Sequence, residues 1–332
     1  MSRKKTKKTK RKKSKSPKNT KKINKKRAEI RQDYIHDRAI VVAPSRGKRP
    51  HHFEEEGKPE ELPKKTCPFC PDKQKGVTAL AKKGRGNKWK IKVVKNIFAA
   101  VTLDNAKAYG QQEVVIETPK HDQEMAELPI NHIQDILKIY QKRTVDIAKN
   151  EKMRYILIFK NNGGRAGASI THAHSQIFAT SFLPPHILSK LTRAQEYKIQ
   201  MGHCYYCDLT KKAPKTPRFV WEDENVSCFT PYASTYNYEA WILPKRHVDN
   251  IAHLNKKEIN SIAKILKKLL DKLHKHKLPY NYYLHQAIHY DDEHFYLRIS
   301  PRRNVWAGLE LGSRLIVNSM PPEEAAKFYR KK

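Results

Sequence analysis

EVVIETPKHDQEMAEL, residues 113 to 128, can be set above EAWILPKRHVDNIAHL, residues 239 to 254, and the two run without a gap at constant offset. Glu113 falls on Glu239 and His121 falls on His247. Each segment reads as an apolar strand, a turn carrying a histidine, and then an amphipathic helix, near 130–149 in the first copy and near 255–276 in the second. Self-similarity at one spacing marks a repeated unit. The chain is therefore read as a tandem duplication, of α+β class.

The cysteines agree with that reading. Four of the five come as two pairs, Cys67 and Cys70 in TCPFCPD and Cys204 and Cys207 in HCYYCDL, one pair ahead of each copy. In a chain without an export signal, C-x2-C pairs more often bind zinc or do redox chemistry than form disulfides. Two thiolates leave a tetrahedral zinc two ligands short, and the duplicated histidines supply candidates. His172 in THAHSQ corresponds to His294 in EHFYLRIS. Two Zn2+ sites are expected: Cys67, Cys70, His121 and His172, then Cys204, Cys207, His247 and His294. Cys228, in the apolar VSCF, is read as core.

NNGGRAGASITHAHSQ, residues 161–176, carries the chemistry. The apolar run Tyr155 to Phe159 reads as a buried strand, Gly163, Gly164 and Gly167 break it, and Gln176 to Ala179 resume it. If the extended conformation holds through them, His172, His174 and Gln176 point to one face. An imidazole is largely neutral near pH 7 and can attack phosphorus, splitting one displacement into two through a covalent intermediate. His174 is the expected nucleophile. Gln176 can donate to phosphate oxygens but cannot shuttle a proton, which favours transfer over hydrolysis. Backbone amides of the 163–168 loop, with the Ser169 hydroxyl, are expected to hold phosphate oxygens as charge develops. Taken alone, such a stretch is equally a glycine-rich connection followed by two surface histidines; the metal-type residues around it tip the balance.

The copies differ where chemistry would occur. Tyr296 stands at the nucleophile position and Arg298 at the glutamine position, and the preceding AIHYDDE has no glycine. The second copy is expected to be chemically silent. Gly308 and Gly312, in WAGLELG, would permit close backbone approach to a substrate.

At 332 residues and 38% hydrophobic, the chain can bury one large core or two ordinary ones. Its net charge of +35 is uneven: residues 1–27 hold sixteen Lys or Arg and no acid. That tail has one isoleucine and no aromatic residue, so it is expected to be disordered. It can bind nucleic acid or an acidic surface by counterion release, or simply solubilise the chain. It lacks the apolar core of a signal peptide, and no run is long enough to span a bilayer, so a cytoplasmic location is expected. The globular part is placed from Glu29, where EIRQDYIHDRAIVV reads as a strand, followed by Arg46 and Arg49 in a turn suited to phosphate.

These motifs together resemble the galactose-1-phosphate uridylyltransferase family, a branch of the histidine-triad superfamily, over about residues 29–330. The match includes APSRGKRP, CPFC, the ETPKH histidine, NNGGRAGASITHAHSQ, FTPYASTYNYEAWILPKRH and GLELG. The resemblance implies two tandem histidine-triad-like units, each an antiparallel half-barrel sheet with flanking helices: a tail at 1–28, a catalytic domain at 29–195 and a degenerate domain at 196–332. It also implies a homodimer. The implied reaction is ping-pong. His174 takes a nucleoside monophosphate from a nucleotide sugar, releases hexose 1-phosphate, and passes the nucleotide to a second phosphate acceptor. Ser169, Gln176, Arg46, Arg49 and Asn161 match phosphate or nucleotide contacts, and Asn96 and Phe98 match the nucleoside pocket. Gly308 and Glu310 are the expected hexose contacts.

Three functions are compatible with this sequence. One is a UDP-glucose–hexose-1-phosphate uridylyltransferase type of nucleotidyltransferase. A second is an adenylyl-transferring phosphorylase acting on ADP-glucose or a dinucleoside polyphosphate, since members with a second C-x2-C pair include such enzymes. The third, of another class, is a zinc-stabilised RNA-binding protein with a relic site, against which the intact HAHSQ argues.

Overall fold

The computed structural model describes residues 27–32, 39–44, 63–86 and 88–331. Nearly all of the basic tail, and both Arg46 and Arg49, lie outside the described residues. Where one strand was expected from Glu29, two short ones form: β1 (Glu29–Gln32) pairs antiparallel with β2 (Ala39–Val42).

The duplication is visible in the main sheet. The first copy supplies β3 (Ala81–Arg85), β4 (Lys88–Lys95), β5 (Gly110–Ile116), β6 (Tyr155–Asn162) and β7 (His174–Thr180), laid side by side as β3-β4-β5-β7-β6. The second supplies β8 (Phe219–Glu222), β9 (Val226–Phe229), β10 (Ala240–Pro244), β11 (Tyr280–His285) and β12 (Tyr296–Pro301), laid as β8-β9-β10-β12-β11. The inner strands β6 and β11 pair with each other, Tyr283 opposite Phe159 and Tyr280 opposite Asn162. The result is one open antiparallel sheet of ten strands, not a closed barrel.

One face of the sheet is covered by α1 (Ile130–Ala148) and α4 (Lys256–Lys275), the two helices expected from the repeat. Ile133, Ile136, Leu137, Tyr140 and Ile147 recur at helical spacing along α1, and Ile259, Ile262, Leu266, Leu269 and Leu273 along α4. They pack on the odd-numbered side chains Ile91, Val93, Val115 and Ile177. α4 starts sharply because Asn255 accepts from the Lys257 and Glu258 amides while Glu258 reaches back to the Asn255 amide. α2 (Pro185–Met201) and α3 (Tyr205–Lys212) connect the copies, and the boundary placed between residues 195 and 196 falls inside α2. The chain closes with α5 (Gly308–Ser313) and α6 (Pro322–Arg330), the latter with Glu323 and Glu324 in its first turn. The opposite face of the sheet carries the cysteine knuckles and the histidines.

Candidate active site and metal clusters

The turn between β6 and β7 is shaped by two glycines. Gly163 (φ 83°) and Gly167 (φ 82°) both adopt the left-handed half of backbone space. A Cβ on Gly163 would also lie 2.9 Å from the Pro279 side chain. The loop closes on itself through Ala168 N–H to the Gly163 carbonyl (3.2 Å). The second copy braces it, since the Asn281 amide donates to the Ala166 carbonyl (2.7 Å) and to Asn161 Oδ1 (2.8 Å).

His174 opens β7, on the same face as Gln176. His174 Nδ1 lies 2.9 Å from the His172 carbonyl. A carbonyl only accepts, so Nδ1 carries the proton and Nε2 keeps its lone pair. The ring also rests against Phe69, whose centroid is 4.9 Å away. The backbone of His174 is held from below. Lys160 donates to the His174 carbonyl (3.3 Å) while its charge is matched by Glu117 (2.8 Å), both fully buried. His172 precedes the strand, borders a small cavity together with His174, and points its Nδ1 at the cysteines.

Beside His174 opens a cavity of about 510 Å3, bordered by Phe69, Val77, Asn96, Phe98, Ser169 and Gln176 among others. A mostly apolar cleft with a few convergent polar groups is what a nucleoside needs. A smaller one, about 130 Å3, lies across His174 and is bordered by Asn161, Gly163 and Ala168. The orientation of Gln176 follows from backbone donors. Phe98 N–H donates to Asn96 Oδ1 (2.9 Å) and Ala100 N–H donates to Gln112 Oε1 (3.1 Å). Their amide nitrogens must then donate to Gln176 Oε1, at 3.4 and 3.0 Å. Gln176 is left with its NH2 as the group free to act as donor toward a ligand oxygen. We expect Gln112→Ala to release this orientation and lower kcat/KM by roughly tenfold with little loss of stability, about the worth of one hydrogen bond. Unchanged single-turnover kinetics would refute it.

Both expected ligand sets are assembled, and the four donor atoms of each lie within 4.8 Å of one another. In the first, Cys67 Sγ is 3.5 Å and Cys70 Sγ 3.7 Å from His172 Nδ1, and Cys70 Sγ is 3.3 Å from His121 Nδ1. In the second, Cys204 and Cys207 lie 3.8 and 3.5 Å from His294 Nδ1, and Cys207 lies 3.5 Å from His247 Nδ1. The histidines are oriented from behind by carbonyls: His172 Nε2 donates to Thr118 (2.8 Å), His294 Nε2 to Pro244 (3.0 Å) and His247 Nε2 to Asp291 (2.9 Å). Thr118 and Pro244 are the same position of the repeat. Each ring thus presents an unprotonated Nδ1 to the thiols. Burial, with Cys67 alongside, pushes the Cys70 thiol up to about 12. A cation would reverse that.

In the second copy Arg298 donates to Glu239 (3.0 Å) and Tyr296 is buried in an aromatic cluster with Tyr206 and Trp241. No nucleophile stands there. Gly308 and Glu310 sit on the exposed α5, where Glu310 accepts from the Ala307 amide (3.0 Å), and neither borders the cavities beside His174. Phe69, Gln112, Glu117 and Lys160 were not anticipated from sequence. Phe69 had a signal, standing between the cysteines of CPFC; the others are polar residues in or just after strands, with no motif around them.

With this geometry established, comparison with known proteins decides the family. The model of the galactose-1-phosphate uridyl transferase N-terminal domain matches residues 17–184. An ADP-glucose phosphorylase of Arabidopsis thaliana is 31% identical over 328 residues, 91% of this chain and 92% of that protein. The chain belongs to the galactose-1-phosphate uridylyltransferase family. Within that family, the uridylyltransferase of Thermotoga maritima is 28% identical over 329 residues, covering 91% of this chain and 98% of its own. The crystal structure of the Arabidopsis phosphorylase with bound ADP-glucose superposes with a TM-score of 0.75 at 30% identity, over 92% of this chain and 99% of that one. A solved uridylyltransferase gives 0.75 at 29% identity, over 91% and 97%. The family's named relatives here are thus nucleotidyltransferases and a phosphorylase. Among the described residues no helix is long and apolar enough to cross a membrane.

Proposed function

We propose that this chain transfers a nucleoside monophosphate from a nucleotide sugar to a second phosphate acceptor through a covalent nucleotidyl-His174. The observation that carries the reading is the His174 tautomer: Nδ1 donates to the His172 carbonyl, so Nε2 is the ring nitrogen that keeps its lone pair, on a ring that borders the cavity. Nε2 attacks the α-phosphorus, an N–P bond forms, and the bond from that phosphorus to the bridging oxygen breaks, releasing hexose 1-phosphate. The ring then carries positive charge, which the His172 carbonyl offsets at Nδ1. Gln176 NH2, Ser169 and loop amides other than those of Ala166, Gly167 and Ala168, which donate within the loop, hold the non-bridging oxygens. An acceptor phosphate oxygen then attacks the same phosphorus, and His174 leaves as the neutral ring.

The donor base has two candidates. Membership in the family favours uridylyl transfer, as does the Thermotoga relative. The 31% identity to an ADP-glucose phosphorylase favours adenylyl transfer, with inorganic phosphate as acceptor. Intact-protein mass spectrometry after brief exposure to UDP-glucose and to ADP-glucose tests both. A mass increase of one nucleotide from one donor selects the base, and bare protein from both defeats the covalent reading.

We read the metal in both clusters as zinc. A tetrahedral ion with Zn–S near 2.3 Å and Zn–N near 2.0 Å has S···N edges of about 3.6 Å. The separations above, 3.3 to 3.8 Å, bracket it. Two thiolates and two imidazoles leave no open position, so the ion's part would be structural. A homodimer is the assembly the family implies, and the exposed Val305, Leu309, Leu311, Leu315 and Val317 offer it apolar surface.

A further inference from the structure

A third cavity, about 230 Å3, lies outside the site just described, between the β3–β4 hairpin and the segment that follows CPFC. Lys75, Lys82, Lys92, Gln74 and Trp89 border it, and no acidic residue does. Lys92 is only 5% exposed. Its ammonium donates to the Gln74 carbonyl at 2.7 Å, which satisfies one of three N–H groups. No carboxylate among the described residues lies within ion-pair distance of it. An unmatched buried charge is costly. Lys82 stands directly opposite Lys92 in the β3–β4 ladder, and like charges so placed repel. Lys75 has Asp72 at 3.6 Å, on the exposed rim. Burial first, then Lys82, pull the Lys92 ammonium below its usual value.

Two cations facing each other over a lined hollow are stabilised together by one anion between them. We propose that this hollow is an oxyanion site of the phosphate class, with Lys92 and Lys82 as its charged ligands. The volume holds a phosphate with a few waters. The register gives its place. Lys82 is opposite Lys92, Lys92 opposite Ile116, and Ile116 opposite His174. The site is in one row with His174 on the same sheet face, two strands away, or about 10 Å from Lys92. Gln74 and Val77 form the shared wall with the nucleoside cavity. A phosphate bound there would order that wall from behind without touching the reacting atoms.

Inorganic phosphate titrated calorimetrically into the full chain, at ionic strength fixed with chloride and with no nucleotide sugar present, tests this independently of the function proposed above. The chain and His174→Ala should give matching isotherms, and Lys92→Met and Lys82→Met should each weaken binding at least about tenfold. Lys82 is exposed, so Lys82→Met decides the matter if Lys92→Met does not fold. Any of three results overturns the proposal: an unchanged isotherm in Lys82→Met, loss of binding in His174→Ala, or no binding by the unaltered chain up to about 10 mM phosphate.

Discussion

His174→Ala will stop turnover, by on the order of 10⁴-fold or more, and will leave no nucleotide on the protein after exposure to either donor. The size follows from the role. Removing a nucleophile deletes the covalent step, whereas oriented donors such as Gln176 and the loop amides remain and supply only residual catalysis. The fold should survive, because His174 lies outside both ligand sets and its side chain's packing partner Phe69 is held between Cys67 and Cys70. Metal content should equal that of the unaltered chain, and melting should shift by only a few degrees. Loss of one metal equivalent in this variant would show that His172 and His174 have each other's roles. Turnover within tenfold of normal would end the covalent mechanism.

The second large effect is expected from Cys67→Ser. The first cluster ties the CPFC knuckle to His121, in the connection after β5, and to His172, so its loss releases three chain segments at once. Structural zinc contributes directly to folding. We expect about one metal equivalent fewer and a melting temperature lower by roughly 10 °C, consistent with several kcal/mol. Turnover should fall as well. The His172 carbonyl that fixes the His174 tautomer is carried on the same residue that would hold the ion, and Phe69 is carried on the knuckle. Cys204→Ser makes the contrast: it should also remove a metal and lower stability, but spare turnover per folded molecule, since the proposed reaction uses neither Tyr296 nor Arg298. Equal metal content and melting for Cys67→Ser and the unaltered chain would refute the assignment.

Much of this was legible in the sequence because duplication doubles every signal. One C-x2-C is ambiguous, but two at matching places ahead of matching histidines specify both clusters, and the repeat even places Thr118 and Pro244 as matching acceptors. The long helices α1 and α4 were legible for a similar reason, through sustained apolar spacing. What the sequence did not disclose depends on distant residues meeting across strands. Gln112 becomes meaningful only when β5 and β7 lie side by side. Lys160 and Glu117 look like surface charges until burial pairs them.

The pairing of β6 with β11 has a consequence for any attempt to dissect the chain. Expressed without its C-terminal portion, the N-terminal portion would present the full length of β6 as a bare edge, with unpaired amides and carbonyls and few side chains to discourage sticking. It would also lose Asn281 and Pro279, which hold the glycine loop from the other side. The second copy thus serves as the shield and buttress of the first, and a fragment ending near residue 195 should aggregate rather than work at reduced efficiency.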